Sequence, residues 1–165
     1  QKAGMEVRVI MTRAATHFVT PLTFETLSGQ PVRLDEINEL RADSRITHIE
    51  DSREADIMVI APATANTLAK MANGIADNLI TRVASVCLKE GRRLILVPRE
   101  TPVDAIMLEN QLRLARLGAV ILPASPAFYH QPATVDDMVD FVVGKLLDQM
   151  GQRHGLFRRW GSAPE

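Results

Sequence analysis

Aromatic side chains are scarce in this chain of 165 residues: five Phe, one Tyr and one Trp make up 4% of it. Its core must therefore be packed from aliphatic side chains and alanine. Cysteine is scarcer still, and the lone Cys87 excludes both an internal disulfide and a multi-cysteine metal centre. Neither sign of charge is in excess, with 19 Lys and Arg against 20 Asp and Glu and a net charge of −1. That removes the basic face on which nucleic-acid binding usually depends. No apolar run nears the roughly 20 residues of a membrane-spanning helix, and no secretory signal opens the chain. A soluble, cytoplasmic protein without a membrane span is the expectation. HExxH, Ser-His-Asp and Walker patterns are missing too, so neither a metal nor a serine triad is expected. What is present is ordinary for a folded chain: 46% hydrophobic and 24% charged residues, in a length that fits one domain.

Strands alternate with helices along the chain. Residues 6–12 read as a strand, and 14–29 as two short helical pieces broken at Pro21. Residues 30–45 read as polar loop with a short helix, and 47–55 as another short helix. Buried strands are expected at 57–61, 94–97 and 119–122. Helices are expected at 64–73, from Asp77 or Asn78 to Glu90, from Asp104 to Gly118, and from Thr134 onward. Each opens on a side chain that can cap it, and Gly74, Gly91 and Gly118 close the first three. Three apolar stripes repeat at helical spacing: Leu79, Val83, Val86 and Cys87; Leu108, Leu112 and Ala115; and Val135, Met138, Val139, Val142 and Leu146. Apolar strands separated by helices belong to a parallel sheet covered on both faces. The expected fold is a single α/β domain, a Rossmann-like doubly wound parallel sheet over residues 1–150, with a short, polar, basic tail at 151–165.

In such sheets ligands bind beyond the carboxyl ends of the strands. Three of those ends are unusual here: APATANT at 61–67, PRETP at 98–102 and PASPAFYHQP at 123–132. Each joins prolines, which stiffen a loop, to polar or charged side chains, and three in one small domain point to a shared site. Thr64 can simply cap the helix that follows, or its loop can receive a phosphate. Arg82, Ser85 and Lys89 fall at i, i+3 and i+7, one helix face, where two cations could hold a phosphate or merely be solvated. Arg99 and Glu100 sit between prolines directly after a strand and could bind an anion and move a proton. Tyr129 can donate a proton or pack. His17 follows the first strand, Cys87 lies on the apolar stripe and belongs to the core, and Asp136 and Asp137 suit a first helical turn.

At these loops the sequence stops being anonymous. RETP, LENQLRLARLGAVILP, PAFYHQP, VDDMVDFVVGKLLDQMG and NLITRVASVCLKEGRRLILVPRETP closely resemble the UbiX-type flavin prenyltransferases, over roughly residues 56–160. The first half, AATHFVTPLTFETLSGQPV and HIEDSREADIMVIAPATANTLAKMANGIADNL, is more similar to the phosphopantothenoylcysteine decarboxylases and, more loosely, the lantibiotic cysteine decarboxylases. Both resemblances imply a Rossmann-like, FMN-binding homo-oligomer, up to a dodecamer; they disagree on the reaction. The prenyltransferase resemblance implies that a dimethylallyl group passes from dimethylallyl phosphate to FMN, and that the prenylated FMN serves a partner decarboxylase, with no metal. It implies that Arg82, Lys89, Arg99, Tyr129 and Lys145 grip the allyl phosphate. Glu100 would assist proton transfer, with Arg99 and Tyr129 beside it. Thr12, Thr64 and Arg99 would contact FMN, and Trp160 would close the pocket.

The sequence departs from that pattern in four ways. The family's opening strand and glycine-rich turn, which holds the FMN phosphate, are not found in it; QKAG reads as the last turn of a helix with Gly4 as its stop. An N-terminally incomplete domain with weak affinity for FMN is the expectation. The acid that the prenyltransferases carry after their second strand is replaced by HFVTPLTF, with Glu25 the nearest carboxylate. Lys145 stands where the family has Arg, which loses a bidentate fork. His17 matches the active-site histidine of the cysteine decarboxylases, and in that reading Asn66 joins it. Against the decarboxylases, PRET replaces their PAMN-type segment. Prenyl transfer is the favoured reading; a cysteine-type decarboxylase and a non-catalytic flavin carrier are the alternatives.

Overall fold

The computed structural model describes residues 4–35 and 55–161. Within them lie β1 (Ile10–Met11), α1 (Pro21–Ser28), β2 (Arg33–Leu34), β3 (Ile57–Ile60), α2 (Ala65–Ala72), α3 (Leu79–Lys89), β4 (Arg93–Leu96), α4 (Ala105–Arg116), β5 (Val120–Ile121) and α5 (Val135–Gln149), with a 3-10 turn at Ala15–His17. Every strand pair is parallel: β1 with β2, and β3, β4 and β5 in that order. Helices connect the paired strands, and the fold is the expected Rossmann-like α/β arrangement.

The helices start where the sequence supplies a cap. Thr64, Asn78, Asp104 and Thr134 each accept a hydrogen bond from the backbone N–H three residues on. Asn78 with Thr81, and Thr134 with Asp137, close reciprocal capping boxes. Asp77, the other candidate cap, instead pairs with Lys70 at 2.8 Å. Backbone N–H donors from Thr134 and Ala133 hold the Asp137 carboxyl below its usual range. Pro21 stands at the first position of α1, where its missing N–H costs nothing, so the expected break is a helix start. At the end of α3, Gly91 adopts φ +65° and lets the Arg92 N–H reach back to Cys87 O at 2.9 Å.

The core centres on β4, in which Leu94, Ile95 and Leu96 are all fully buried. Leu94 and Leu96 join Leu68, Met71, Ile80, Ala84, Met107 and Leu114 from α2, α3 and α4, while Ile95 points to the opposite face. On α3 the expected stripe is buried at Leu79, Val83 and Cys87. Burial raises the Cys87 thiol pKa, as suits a small core hydrophobe. Ile10 of β1 and Met58 of β3 both rest on that stripe.

Several expectations need correction. The strand expected at 6–12 is reduced to Ile10–Met11, because only two residues find partners in β2. β2 itself lies in the segment expected to be loop; two residues are too few to carry a period. Strands β3 and β5 are half-buried, not buried, since each is bonded on one side only among the described residues. On α4 the stripe Leu108, Leu112, Ala115 faces outward, Leu108 and Leu112 being 56% and 51% exposed, and Met107 and Leu114 face the core instead. On α5 Phe141 and Gly144 are buried while Val135 and Val139 are exposed. The remaining readings for 36–54 lie outside the described residues.

Candidate functional site

Because all paired strands are parallel, β3, β4 and β5 end at the same edge, and hydrogen bonds continue past the strands. Ala63 N–H donates to Val97 O and Val97 N–H to Ile60 O, both at 2.9 Å. Leu122 N–H donates to Leu96 O, and Ala124 N–H to Pro98 O, both at 2.8 Å. The three proline-bearing loops are thereby fixed side by side as one rim, as their sequences led us to expect. Together they carry Thr64 and Asn66, Arg99 and Glu100, and Tyr129 and His130.

On this rim Arg99 and Glu100 are exposed, and among the described residues neither has an ion-pair partner. Both are open to a ligand. Thr64 and Asn66 are exposed at the start of α2; the Thr64 hydroxyl is engaged as a cap, accepting from Thr67 N–H at 3.2 Å and meeting Thr67 Oγ1 at 3.1 Å. At the end of β1 the Thr12 hydroxyl accepts from Ala15 N–H at 3.0 Å, and His17 closes the 3-10 turn in the open. Glu25 is not at the rim: its carboxylate accepts from Val32 N–H at 3.1 Å and ties down the chain leaving α1.

The loop after β5 turns into an aromatic cluster. Tyr129 meets Phe141 at 5.9 Å and Trp160 at 5.3 Å, both edge to face, while His130 stacks on Phe141 at 5.1 Å. Phe157 lies 4.7 Å from Phe141, and the Lys145 ammonium sits over both rings, 5.5 and 5.4 Å from their centroids. Three residues singled out in the sequence, Tyr129, Lys145 and Trp160, are thus gathered by rings that were not. Phe141 and Phe157 carried no signal; His130, which belongs to the PAFYHQP loop, has both ring nitrogens buried without a partner among the described residues.

Arg82 and Lys89 are placed differently. The Arg82 Nε is buried with no hydrogen-bond partner among the described residues. A buried unsatisfied donor is costly, and on a guanidinium it fits an anion. Lys89 ends α3 shortly before β4 begins, by the amino ends of the strands and opposite the rim. It lines a groove of about 520 Å³ with Ser85, Met71, Ile75 and Arg113. The Arg113 guanidinium in that groove is already engaged by Ala72 O and Asn73 Oδ1, both at 3.2 Å. One chain therefore does not bring Lys89 to Tyr129. No cluster of metal-ligating side chains occurs among the described residues, and no described helix is long and apolar enough to cross a membrane.

Residues 1–147 match the flavoprotein family. A flavin prenyltransferase UbiX from Methanothermobacter thermautotrophicus is 46% identical over 161 residues, covering 96% of this chain and 82% of the relative. The crystal structure of AnUbiX (PadA1) in complex with FMN and dimethylallyl pyrophosphate aligns with a TM-score of 0.84 at 35% identity, over 99% of this chain and 86% of that one. A dodecameric FMN-dependent UbiX-like decarboxylase from Escherichia coli O157:H7 gives 0.81 at 38%, over 96% and 85%. The FMN-dependent cysteine decarboxylase TvaF is more distant, at 0.62 and 28% over 71% of each chain. By sequence and by fold, the chain belongs to the flavoprotein family and, within it, to the UbiX flavin prenyltransferases.

Proposed function

We propose that the protein transfers a dimethylallyl group from dimethylallyl phosphate to FMN, in a homo-oligomer, and that the prenylated flavin serves a decarboxylase. The observation that carries this reading is the rim itself: open Arg99 and Glu100 on one loop, and on the loop beside it Tyr129, whose ring meets Phe141 and Trp160, with the Lys145 ammonium over Phe141. Dimethylallyl phosphate is an anion with a short apolar tail, and the rim offers cations next to aromatic faces. A relative with this fold is described with FMN and dimethylallyl pyrophosphate.

The Arg82 Nε, without a hydrogen-bond partner among the described residues, supports a donor set that receives a phosphate. The flavin supplies the ring that accepts the prenyl carbon. As the allylic C–O bond breaks, phosphate departs with its electrons, and Arg99, Lys145 and Arg82 stabilise its charge. The faces of Tyr129 and Trp160 attract the positive charge developing on the allyl group. Glu100 takes up the proton that substitution of the ring releases. Thr12, after β1, and Thr64, after β3, contact the flavin. Lys89 reaches the phosphate from an adjoining subunit, since within its own chain it lies at the opposite end of the strands. The exposed stripes on α4 and α5 supply apolar surface for that assembly, and a UbiX-like relative is dodecameric. A soluble, cytoplasmic setting is consistent with a flavin-modifying enzyme of this kind.

Phosphate release tests this reading. Inorganic phosphate should appear from dimethylallyl phosphate only when FMN is present. Loss of carbon dioxide from a cysteine-terminated peptide, without phosphate release, would overturn it. Arg82→Ala and Lys89→Ala should each weaken dimethylallyl phosphate binding by roughly tenfold or more, the usual loss for a charge-assisted hydrogen bond. Both should keep a cooperative melting transition, because neither side chain fills the core; loss of that transition would make the residue structural.

The position of His17, exposed just after the carboxyl end of β1, favours the cysteine-decarboxylase alternative. On the present account His17 lines the flavin pocket without doing chemistry. His17→Asn should still convert FMN and dimethylallyl phosphate to product. Loss of conversion with FMN binding intact would assign the histidine a chemical role.

A further inference from the structure

The segment after Gly151 returns along α5 and is fastened to it. Gly144 is buried within α5, and a Cβ built there would lie 2.5 Å from His154 Cε1 and 2.5 Å from Phe157 Cε1. Glycine is a poor helix residue; here its missing side chain is the socket that receives the tail. One turn further on, Asp148 accepts a two-pronged contact from Arg159, Nη2 to Oδ1 at 2.6 Å and Nη1 to Oδ2 at 3.1 Å. His154 Nε2 lies 3.1 Å from the same Oδ1. Its Nδ1 accepts from Leu156 N–H at 3.3 Å, which puts the ring proton on Nε2 and makes it the donor to Asp148. The Arg159 guanidinium holds the Asp148 carboxyl below its usual range.

The residue after Arg159 is Trp160. Its indole is 80% exposed, so burial cannot hold it against Tyr129. We propose that Gly144, Asp148, His154 and Arg159 form a latch that fastens the tail to α5 and so positions Trp160 beside Tyr129 as a wall of the prenyl site. These are positioning residues, acting through Trp160, and the inference rests on the reading of Tyr129 and Trp160 given above. The latch sets where the allyl tail lies; it makes no contact with the flavin.

The chain has one tyrosine and one tryptophan, so energy transfer from tyrosine to tryptophan reports on this single contact without reference to activity. In the full chain, Asp148→Ala should lower that transfer and the anisotropy of tryptophan emission. It should also raise KM for dimethylallyl phosphate about tenfold, the scale of one lost charge-assisted contact, with kcat and FMN affinity changed far less. Asp148→Glu should recover part of both signals. Gly144→Ala should act in the same direction by blocking the socket, and Asp148→Ala, at a half-buried site, keeps the test open if Gly144→Ala fails to fold. Unchanged energy transfer in Asp148→Ala would show that the latch does not hold the tail. Lost transfer with unchanged KM would show that the tail is held but does not position the site. If the wild type turned over no dimethylallyl phosphate, the prenyl reading would fail separately, and the latch would stand or fall on energy transfer alone.

Discussion

Replacing Glu100 by Gln is expected to lower kcat for prenyl transfer by about 10²- to 10⁴-fold, the range for loss of a positioned general base. FMN affinity and Tm should stay close to wild type. The loop carrying Glu100 is fixed by backbone bonds through Val97 and Pro98 to its neighbours on either side, and those bonds do not involve the side chain. The carboxylate is exposed and has no ion pair among the described residues, so its amide isostere removes chemistry without removing a contact. A rise in KM with kcat retained would make Glu100 a binding residue instead.

The second large effect concerns α4, a helix with two apolar faces. Leu114 is fully buried against the α2–α4 core, whereas Leu108 is 56% exposed. Leu114→Ala should cost about 2–5 kcal/mol, the usual range for opening a cavity in a packed core. That is a large part of the roughly 5–15 kcal/mol that holds a domain together. Leu108→Ala should leave the melting of a single subunit nearly unchanged and instead shift light scattering from oligomer toward the 18.2 kDa monomer. Equal destabilisation by the two substitutions would show that the outward stripe is not an assembly surface. A monomer that retains full flavin occupancy would count against the assembly itself.

That pair of residues also marks where the sequence was readable and where it was not. Helix starts were legible because capping is local: Thr64, Asn78, Asp104 and Thr134 bond donors three residues away. The rim was legible because strand ends in a parallel sheet share an edge, so three proline-bearing loops could be expected together before any contact was known. The choice of face on α4 was not legible. Two stripes of similar apolarity run along it, and only the position of α2 decides which one is buried. The tail is polar and basic in composition, yet Phe157 and His154 pack into α5; the one local clue is Gly144, a glycine in mid-helix that has a packing reason. The separation of Lys89 from Tyr129 was hidden too, because spacing along α3 gives a shared face and says nothing of which end of the strands that face meets.

The central claim is that an allylic phosphate and a flavin react here. The most direct measurement is the mass of the flavin recovered after the protein has been incubated with FMN and dimethylallyl phosphate. The flavin mass should increase by that of one dimethylallyl group less the hydrogen it replaces, with one phosphate released for each, and Glu100→Gln should slow both together. Flavin recovered at its original mass, from protein that binds FMN and takes carbon dioxide from a cysteine-terminated peptide, would contradict it.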